Sequence, residues 1–320
     1  MTILTRRAFG IAALSAPALI SGTAPLLAQS TNSVTQPASV FGATIGAYRV
    51  TTLLDGTLPM SASWFPGGSP ESIEAALAKS GITGESLPAP INAFLLQSDT
   101  ATILVDAGLG GIDMMGPGFG QVSAGLAALG VAPEDVDTLV MTHAHADHIG
   151  GMLGANGAAF PNAELVVTGV EHGFWTDESI MAQAPDDAKG AFQLAQAVFG
   201  AYADRVKLVE DGAEIAPGVT MEIVPGHTMG HAALHIDGGD RQLMMVTDAV
   251  HSIDLQTALP EQGTMFDTDP ALAAQSRIRL FDRVASDNVL IAGCHVHFPG
   301  FGRIVHSGEA YRYAPASILS

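Results

Sequence analysis

The sequence MTHAHADHIGG, residues 141–151, places three histidines and one aspartate within six residues, directly after a short apolar run. Imidazoles this close repel one another when protonated, and binding of a divalent cation keeps them neutral. Neutral imidazole suits borderline cations, and a carboxylate adds compensating charge. The small alanines between these residues let the backbone curl, so that several side chains can point into one hollow. The segment therefore predicts a metal site on the loop after a buried strand, rather than a polar loop whose histidines pair with backbone.

Further ligand-type residues follow other apolar runs of the chain. VPGHTMGH contains His227 and His231, and Asp248 ends the apolar run of MMVTDA. His295 and His297 follow the apolar start of LIAGCHVHFPGFG. Four residues cannot complete two metal sites, so we expect these segments to meet the first one at a shared edge of a sheet. On an extended chain His297 faces the same side as His295, which makes it a candidate for the wall of a pocket.

Strand and helix candidates alternate through the chain. The residues AVILMFWYC make up 48% of the sequence and charged residues only 14%, which provides a sizeable core. Strand candidates occupy residues 47–56, 91–98, 101–108, 137–143, 163–169, 219–226, 242–249 and 288–295. Helix candidates occupy residues 69–81, 121–130, 189–206 and 269–286. In the first of these helices Ser69 is a suitable N-cap, Pro70 suits the first turn and Gly81 lies past the end. Helices interspersed with mostly buried strands predict a layered α/β fold.

The first residues of the chain have the pattern of an export signal. Arg6 and Arg7 precede an apolar run that contains prolines and glycine, which argues against a core helix. We therefore predict a twin-arginine signal peptide over residues 1–28, a polar linker over 29–40 and one catalytic domain over 41–320. This organisation predicts a periplasmic or secreted protein.

Charge and cysteine content narrow the classes of partner. The formal net charge of −19 argues against a nucleic-acid partner, whose phosphates would be repelled. After the signal, no stretch has the length and apolar character of a membrane span, so no membrane partner is expected. Cys294 is the single cysteine, which excludes an intramolecular disulfide, and we interpret it as a small buried hydrophobe.

The motifs HAHADH, PGHTMGH, the aspartate at position 248 and GCHVHFPGFG resemble, in this order, those of the metallo-β-lactamase superfamily. Within it the chain is similar to the methyl parathion hydrolase group, from about residue 48 to the C-terminus. That similarity includes YRVTTLLDG, ILVDAG, FPNAELVV, FWTDES, APDDAKG, HFPGFG and YRYAP. The resemblance implies a four-layer αββα sandwich with two metal ions at one edge.

The resemblance also implies a role for each motif residue. The ligands implied for the first metal are His143, His145 and His231; those for the second are Asp147, His148 and His295; and Asp248 bridges the two metals. Asp147 and Asp248 are also expected to take part in catalysis. Asp106 and His227 are expected to contact the metal ligands and to orient them, without binding the metals themselves. The expected metals are two divalent ions, by default zinc, with manganese, cobalt or iron suited to the same donors.

The resemblance implies a hydrolase whose metal-bridging hydroxide attacks uncharged esters, lactones or organophosphate triesters. The partner is then a small molecule, and a homodimer is possible since the related group is often dimeric. Pocket candidates are Met115, Phe119, Trp175, Phe192 and His251. At the position of His251, acyl-homoserine lactonases commonly have a tyrosine, so this sequence departs from them.

The sequence leaves three alternative functions open. A β-lactamase would fit the histidine motif, although the subclass that shares it lacks a bridging aspartate like Asp248. An iron-dependent oxidoreductase of the same superfamily is another alternative, such as a sulfur dioxygenase or a flavo-diiron protein. The flavo-diiron form typically replaces the second histidine with glutamate and adds a flavin domain, and this sequence has neither feature. A protein that only captures metal would need the ligands but not the supporting residues.

Overall fold

The computed structural model describes residues 38–84 and 86–316 of the chain. The predicted signal peptide and most of the predicted linker lie outside the described residues. In the described part the strands are β1 (Val40–Ile45), β2 (Tyr48–Ser61), β3 (Ser86–Gln97), β4 (Thr102–Val105), β5 (Thr138–Val140), β6 (Leu153–Gly154), β7 (Gly157–Ala158), β8 (Glu164–Thr168), β9 (Val206–Val209), β10 (Ala213–Ala216), β11 (Val219–Ile223), β12 (Ala232–Asp237), β13 (Gln242–Met245), β14 (Leu290–Ala292), β15 (Phe301–Ser307) and β16 (Ala310–Pro315). The α-helices are α1 (Pro70–Lys79), α2 (Val122–Ala128), α3 (Ala146–Ile149), α4 (Gly169–Thr176), α5 (Glu178–Gln183), α6 (Lys189–Ala201), α7 (Ile253–Ala258) and α8 (Pro270–Ser286).

Two seven-stranded sheets account for most of these strands. The first has the order β1-β2-β3-β4-β5-β8-β9, and the second the order β10-β11-β12-β13-β14-β15-β16. A short hairpin of β6 and β7 stands apart from both. Among the described helices, none combines the length and the apolar character needed to span a bilayer.

The first sheet is apolar on both faces. Ile103 and Val105 of β4 point to a core shared with the second sheet, whereas Leu104 between them points to the opposite face. On that opposite face lie Leu126 of α2 and Val198 of α6. The side chains alternate because successive residues of a strand face opposite sides of the sheet. Strands that are buried on both faces explain the continuous apolar runs in the sequence.

The second sheet repeats this arrangement. Leu243 and Met245 of β13 face the first sheet, while Met244 packs with Leu280 and Phe281 of α8. The layers therefore run helix, sheet, sheet, helix, and the predicted αββα sandwich is confirmed.

Parallel strands bring several loops to one edge of the sandwich. In the first sheet β4, β5 and β8 are mutually parallel neighbours, and in the second sheet β13 is parallel to β14. The carboxyl ends of parallel strands meet at the same edge of a sheet, which is where α/β proteins commonly place their sites. The motif residues singled out in the sequence follow four of these five strands.

Candidate metal centre

Three imidazole rings from two loops converge near the carboxyl end of β5. His143 and His145 follow that strand, and His227 lies between β11 and β12. The Nε2 atom of His143 lies 3.1 Å from Nδ1 of His145 and 3.1 Å from Nε2 of His227. We call His143, His145 and His227 the three-histidine group, because their ring nitrogens are close enough to share one cation.

A second set of ligand-type atoms lies beside the first. Asp147 and His148 belong to the short helix α3, and His295 follows β14. The Nε2 atoms of His148 and His295 each lie 3.6 Å from Oδ2 of Asp147. We call Asp147, His148 and His295 the aspartate group; its ligand atoms also lie within reach of one cation.

The buried carboxylate of Asp248 lies between the two groups. Its Oδ2 atom is 3.5 Å from Nε2 of His227 and 3.2 Å from Nε2 of His295. Its Oδ1 atom is 3.3 Å from Nε2 of His148. One carboxylate thus faces ring nitrogens of both groups, in the position expected of a bridging ligand.

Two further carboxylates hold the histidines from behind. Asp106, which adopts a positive φ of 57° after β4, accepts a hydrogen bond at Oδ2 from Nδ1 of His148 at 2.8 Å. Oδ1 of Asp106 also accepts the amide of Thr142 at 3.0 Å. Asp267 lies 3.0 Å from Nδ1 of His227. Carboxylates in such positions fix the orientation of a ligating imidazole. The supporting position of Asp106 was expected from the sequence, but that of Asp267 was not.

The structure reverses the expected positions of the two histidines in PGHTMGH. His231 was expected at the first metal, but both of its ring nitrogens already have protein partners. Nδ1 donates to the carbonyl of Val224 at 2.8 Å, and Nε2 accepts the amide of Asp248 at 3.1 Å. His227, expected in the supporting position, instead belongs to the three-histidine group. In this structure His231 positions the backbone of Asp248 and has no nitrogen left for a cation.

Burial and neighbouring charges set the protonation of the cluster. Burial lowers the pKa of His143 and His227 well below the ordinary value, and it lowers that of His145 to about 4. Burial also opposes protonation of His148, but the surrounding aspartates, with Asp248 the strongest, outweigh it and raise that pKa. The three-histidine group is therefore neutral near pH 7, which is the form that binds metal.

The residues present fit a pair of divalent cations. Nε2 of His148 and Oδ1 of Asp248 are buried without a hydrogen-bond partner among the described residues. Each such atom costs roughly 1–3 kcal/mol unless something binds it. Two imidazole nitrogens on one tetrahedral zinc ion lie roughly 3.3 Å apart, close to the 3.1 Å separations in the three-histidine group. Nitrogen and oxygen donors of this kind suit zinc and also manganese, cobalt or iron.

An aromatic wall extends from the cluster toward solvent. The Nε2 atom of His251 lies 3.3 Å from Oδ2 of Asp248. The ring of His251 stacks on that of Phe266, and the two ring centroids are 6.1 Å apart. Phe266 in turn packs edge-on against Trp64 at 5.6 Å. We call His251, Phe266 and Trp64 the aromatic wall; Phe266 is 39% exposed, so a substrate can reach its ring. Met265 next to it is exposed as well.

The other pocket candidates are placed differently. Trp175 and Phe192 are each only 4% exposed, and their rings pack on one another 4.7 Å apart in the core under α6. Trp175 also packs edge-on against His145 at 5.9 Å. This burial places both rings behind the site rather than on an open surface. Met115 and Phe119 are partly buried in the loop between β4 and α2, where the Phe119 ring lies over Gly56.

Two residues next to His295 also have defined surroundings. His297 is partly exposed and pairs through Nε2 with Asp254 of α7. Cys294 packs in the core between the sheets with Sγ 3.7 Å from Oδ2 of Asp106, and burial raises the pKa of its thiol. The interpretation of Cys294 as a small buried residue agrees with this placement.

Comparison with known proteins identifies relatives of the chain. The model of a family described as the metallo-beta-lactamase superfamily matches residues 87–295. A relative named "probable metallo-hydrolase" from Mycobacterium tuberculosis is 30% identical over 187 residues, which are 49% of this chain and 56% of the relative. The chain thus spans little more than half the length of that relative. An N-acyl homoserine lactonase of a Bacillus species is 28% identical over 215 residues, 61% of this chain and 78% of that protein.

Solved structures match over more of the chain. The hydrolase AbOPH of the beta-lactamase superfamily superposes with a TM-score of 0.83 at 30% identity, covering 89% of this chain and all of that one. The dizinc quorum-quenching lactonase AidC, in complex with a product, superposes with a TM-score of 0.82 at 24% identity. The latter likeness covers 88% of this chain and 99% of that one, and it shows a shared fold.

Proposed function

Because the chain belongs to the metallo-beta-lactamase superfamily, we propose that it is a two-metal hydrolase of uncharged lactones and esters. The observation that carries this proposal is the position of Asp248, whose carboxylate faces both the three-histidine group and the aspartate group. A pair of ligand sets that share one carboxylate is the arrangement used by two-metal hydrolases. We propose zinc as the metal, by analogy with the dizinc neighbour.

Divalent cations supply a Lewis acid and lower the pKa of bound water from 15.7 to about 7. The protein's own residues prepare that site. Burial keeps the imidazoles of the three-histidine group neutral, so that their lone pairs are free. Asp106 and Asp267 fix two of the ligand rings by hydrogen bonds to Nδ1, which leaves Nε2 pointing into the centre.

The surroundings of the centre favour an uncharged substrate with an apolar part. The aromatic wall offers ring faces and edges next to Asp248, and Met265 extends the apolar surface outward. The formal net charge of −19 disfavours anionic substrates through long-range repulsion. Lactones are the class we favour among uncharged esters, because a relative that is matched over 78% of its own length is named an N-acyl homoserine lactonase.

Organophosphate triesters are a second substrate class. They are uncharged like lactones and offer a polarised oxygen to the same centre. The sequence resemblance to the methyl parathion hydrolase group supports this class. His251, at a position where acyl-homoserine lactonases commonly have a tyrosine, argues against activity restricted to acyl-homoserine lactones. We propose triester cleavage as an accompanying activity rather than the main one.

The test is a hydrolysis panel with the zinc-loaded protein. We expect turnover of N-hexanoyl homoserine lactone and of 4-nitrophenyl acetate, weaker turnover of methyl parathion, and none of nitrocefin. The His143→Ala variant should lose activity by about 100-fold or more. It removes the ring nitrogen of the three-histidine group that lies next to those of both His145 and His227. The exposed His306→Ala variant is the matched control and should keep full activity. Rapid nitrocefin cleavage without lactone or ester turnover would point to a β-lactamase instead.

We also propose export of this protein by the twin-arginine route, on the basis of Arg6 and Arg7 and the apolar run after them. Replacing both arginines by lysine should retain the protein in the cytoplasm of an expressing bacterium. Cell fractionation with antibody detection measures this, and unchanged export of the double variant would contradict the proposal.

A further inference from the structure

A carboxylate outside the metal cluster joins the two loops that form the three-histidine group. Glu171 lies in the first turn of α4, directly after β8, and its side chain is fully buried. The N-cap residue Thr168 accepts the amide of Glu171 and donates its hydroxyl to the carbonyl of Gly230 at 2.8 Å. Glu171 is therefore held at the seam between β8 and the loop that contains His227.

Each oxygen of Glu171 accepts two hydrogen bonds. Oε1 accepts the amide of Ala144 at 3.0 Å and the indole N–H of Trp175 at 2.6 Å. Oε2 accepts the hydroxyl of Thr228 at 2.6 Å and the amide of Gly230 at 3.0 Å. All four partners are donors, so the arrangement requires a group that only accepts, which an ionised carboxylate is. Burial raises the pKa of Glu171, and these four donors oppose that shift.

Three of the four donors belong to the two loops that carry the three-histidine group, and the fourth packs against a member of it. Ala144 lies between His143 and His145, and Thr228 directly follows His227. Trp175, the fourth partner, packs edge-on against the ring of His145. One carboxylate thus contacts the backbone or the neighbours of every member of the group.

The contact between these segments is also close in space. A Cβ atom at Gly230 would lie 2.2 Å from the amide nitrogen of Glu171, which no side chain can occupy. The loop after His227 can approach α4 this closely only because residue 230 is glycine. The distance between the two ligand loops is therefore set by direct packing as well as by hydrogen bonds.

From these contacts we infer that Glu171 is a positioning residue for the first of the two cations in the proposed function. It touches no ligand nitrogen itself; it holds the loop of His143 and His145 at a fixed distance from the loop of His227. The aspartate group receives none of these four hydrogen bonds. Loss of Glu171 should therefore weaken one cation site and leave the other in place.

The experiment is zinc binding to the Glu171→Gln variant, measured by competition with a chromophoric chelator. Glutamine has nearly the same shape, but its amide nitrogen faces two donors and cannot accept from them. We expect the first zinc ion to bind 10- to 100-fold more weakly, as is typical when a group that orients metal ligands is lost. The second zinc ion should keep its affinity. Glu178→Gln, an exposed glutamate in the neighbouring helix α5, is the matched control and should bind both ions as the wild type does.

A milder pair of variants guards against a folding defect in Glu171→Gln. Thr228→Val removes one of the four donors at nearly constant volume, and Thr228→Ser retains the hydroxyl. We expect Thr228→Val to weaken the first zinc site by about 10-fold, with Thr228→Ser restoring most of that loss. A purely structural role would lower the affinity of both zinc sites together, and would not distinguish valine from serine at equal thermal stability.

The outcomes separate this inference from the proposed function. If the wild type binds two zinc ions and Glu171→Gln binds both with unchanged affinity, the positioning role is wrong and the proposed function stands. Equal weakening of both ions in the folded variants also contradicts the role. A wild type that binds no divalent cation contradicts the proposed function itself, and this inference with it.

Discussion

The Nε2 atoms of His143 and His227 lie 3.1 Å apart although 84 residues separate them in the chain. Two ring nitrogens approach this closely when they share a proton or a cation. The nitrogen of His145 on the other side of His143 favours the cation. The same relationship assigns His227, rather than His231, to the metal.

The first prediction compares His227 with His231, which lie four residues apart in the same segment of the chain. At saturating zinc, His227→Ala should bind about one ion per chain, because the three-histidine group loses a ligand. His231→Ala should still bind about two, with affinity reduced 10- to 100-fold through the backbone of Asp248. Metal analysis after gel filtration measures both values. The opposite ranking would return His231 to the position expected from the sequence.

Much of the fold was predictable because its strands are buried on both faces. Continuous apolar runs such as TILV of β4 and QLMM of β13 mark such strands, and Ser69 caps α1 as the sequence indicates. The edge strands β10 and β16 lack these runs and were missed. Their residues are mostly partly or fully exposed and give no strong apolar signal, and each strand pairs only with its neighbour in sequence, β10 with β11 and β16 with β15.

The site was predictable where ligand-type residues closely follow a buried strand, as His143, Asp248 and His295 do. Local sequence could not decide which of His227 and His231 belongs to the metal site, because each directly follows a glycine in the same short segment. The contacts that decide come from distant residues: Asp267 holds the ring of His227, and Glu171 holds the loop beside it. Neither acidic residue has a neighbouring sequence pattern that signals burial.

The second prediction concerns the aromatic wall. Phe266→Ala should raise the KM for a long-chain acyl lactone by about 10-fold, roughly 1.4 kcal/mol, because it removes an exposed ring that can pack on the acyl chain. The kcat should change little, since Phe266 does not contact the ligand groups directly. Leu208→Ala, an apolar residue on β9 that is 51% exposed, is the control. Steady-state kinetics in which both variants behave alike would exclude a substrate-binding role for the wall.

The third prediction concerns a buried arginine side chain that donates hydrogen bonds to the chain segment preceding Phe266 of the aromatic wall. Arg277 of α8 is fully buried and donates to the carbonyls of Ala249, Pro260 and Gln262 at 2.6, 2.8 and 2.9 Å. Arg277→Met should lower the free energy of unfolding by about 3 kcal/mol or more, because three buried carbonyls lose a charged donor. Urea denaturation measures this change. The matched control is Arg312→Gln, because Arg312 is exposed. If both variants changed the free energy of unfolding by a similarly small amount, the three carbonyls would not need Arg277 as a donor.

The fourth prediction concerns removal of the metals. Each zinc ion present at about 1,000 times its dissociation constant stabilises the folded state by about 4 kcal/mol, so two ions contribute about 8 kcal/mol. At roughly 2–4 °C per kcal/mol for a domain of this size, the chelated protein should melt roughly 15–30 °C below the zinc-loaded protein. His143→Ala should show a smaller difference between the two conditions. Differential scanning calorimetry provides the comparison, and identical melting temperatures with and without zinc would mean that the cluster is a metal-free structural feature.

The most direct measurement is anomalous diffraction at the zinc absorption edge from crystals grown with zinc. We expect two peaks in the cluster, one within the three-histidine group and one within the aspartate group, with the carboxylate of Asp248 between them. Peaks confined to the protein surface, with none in the cluster, would contradict the two-metal centre on which the proposed hydrolysis depends.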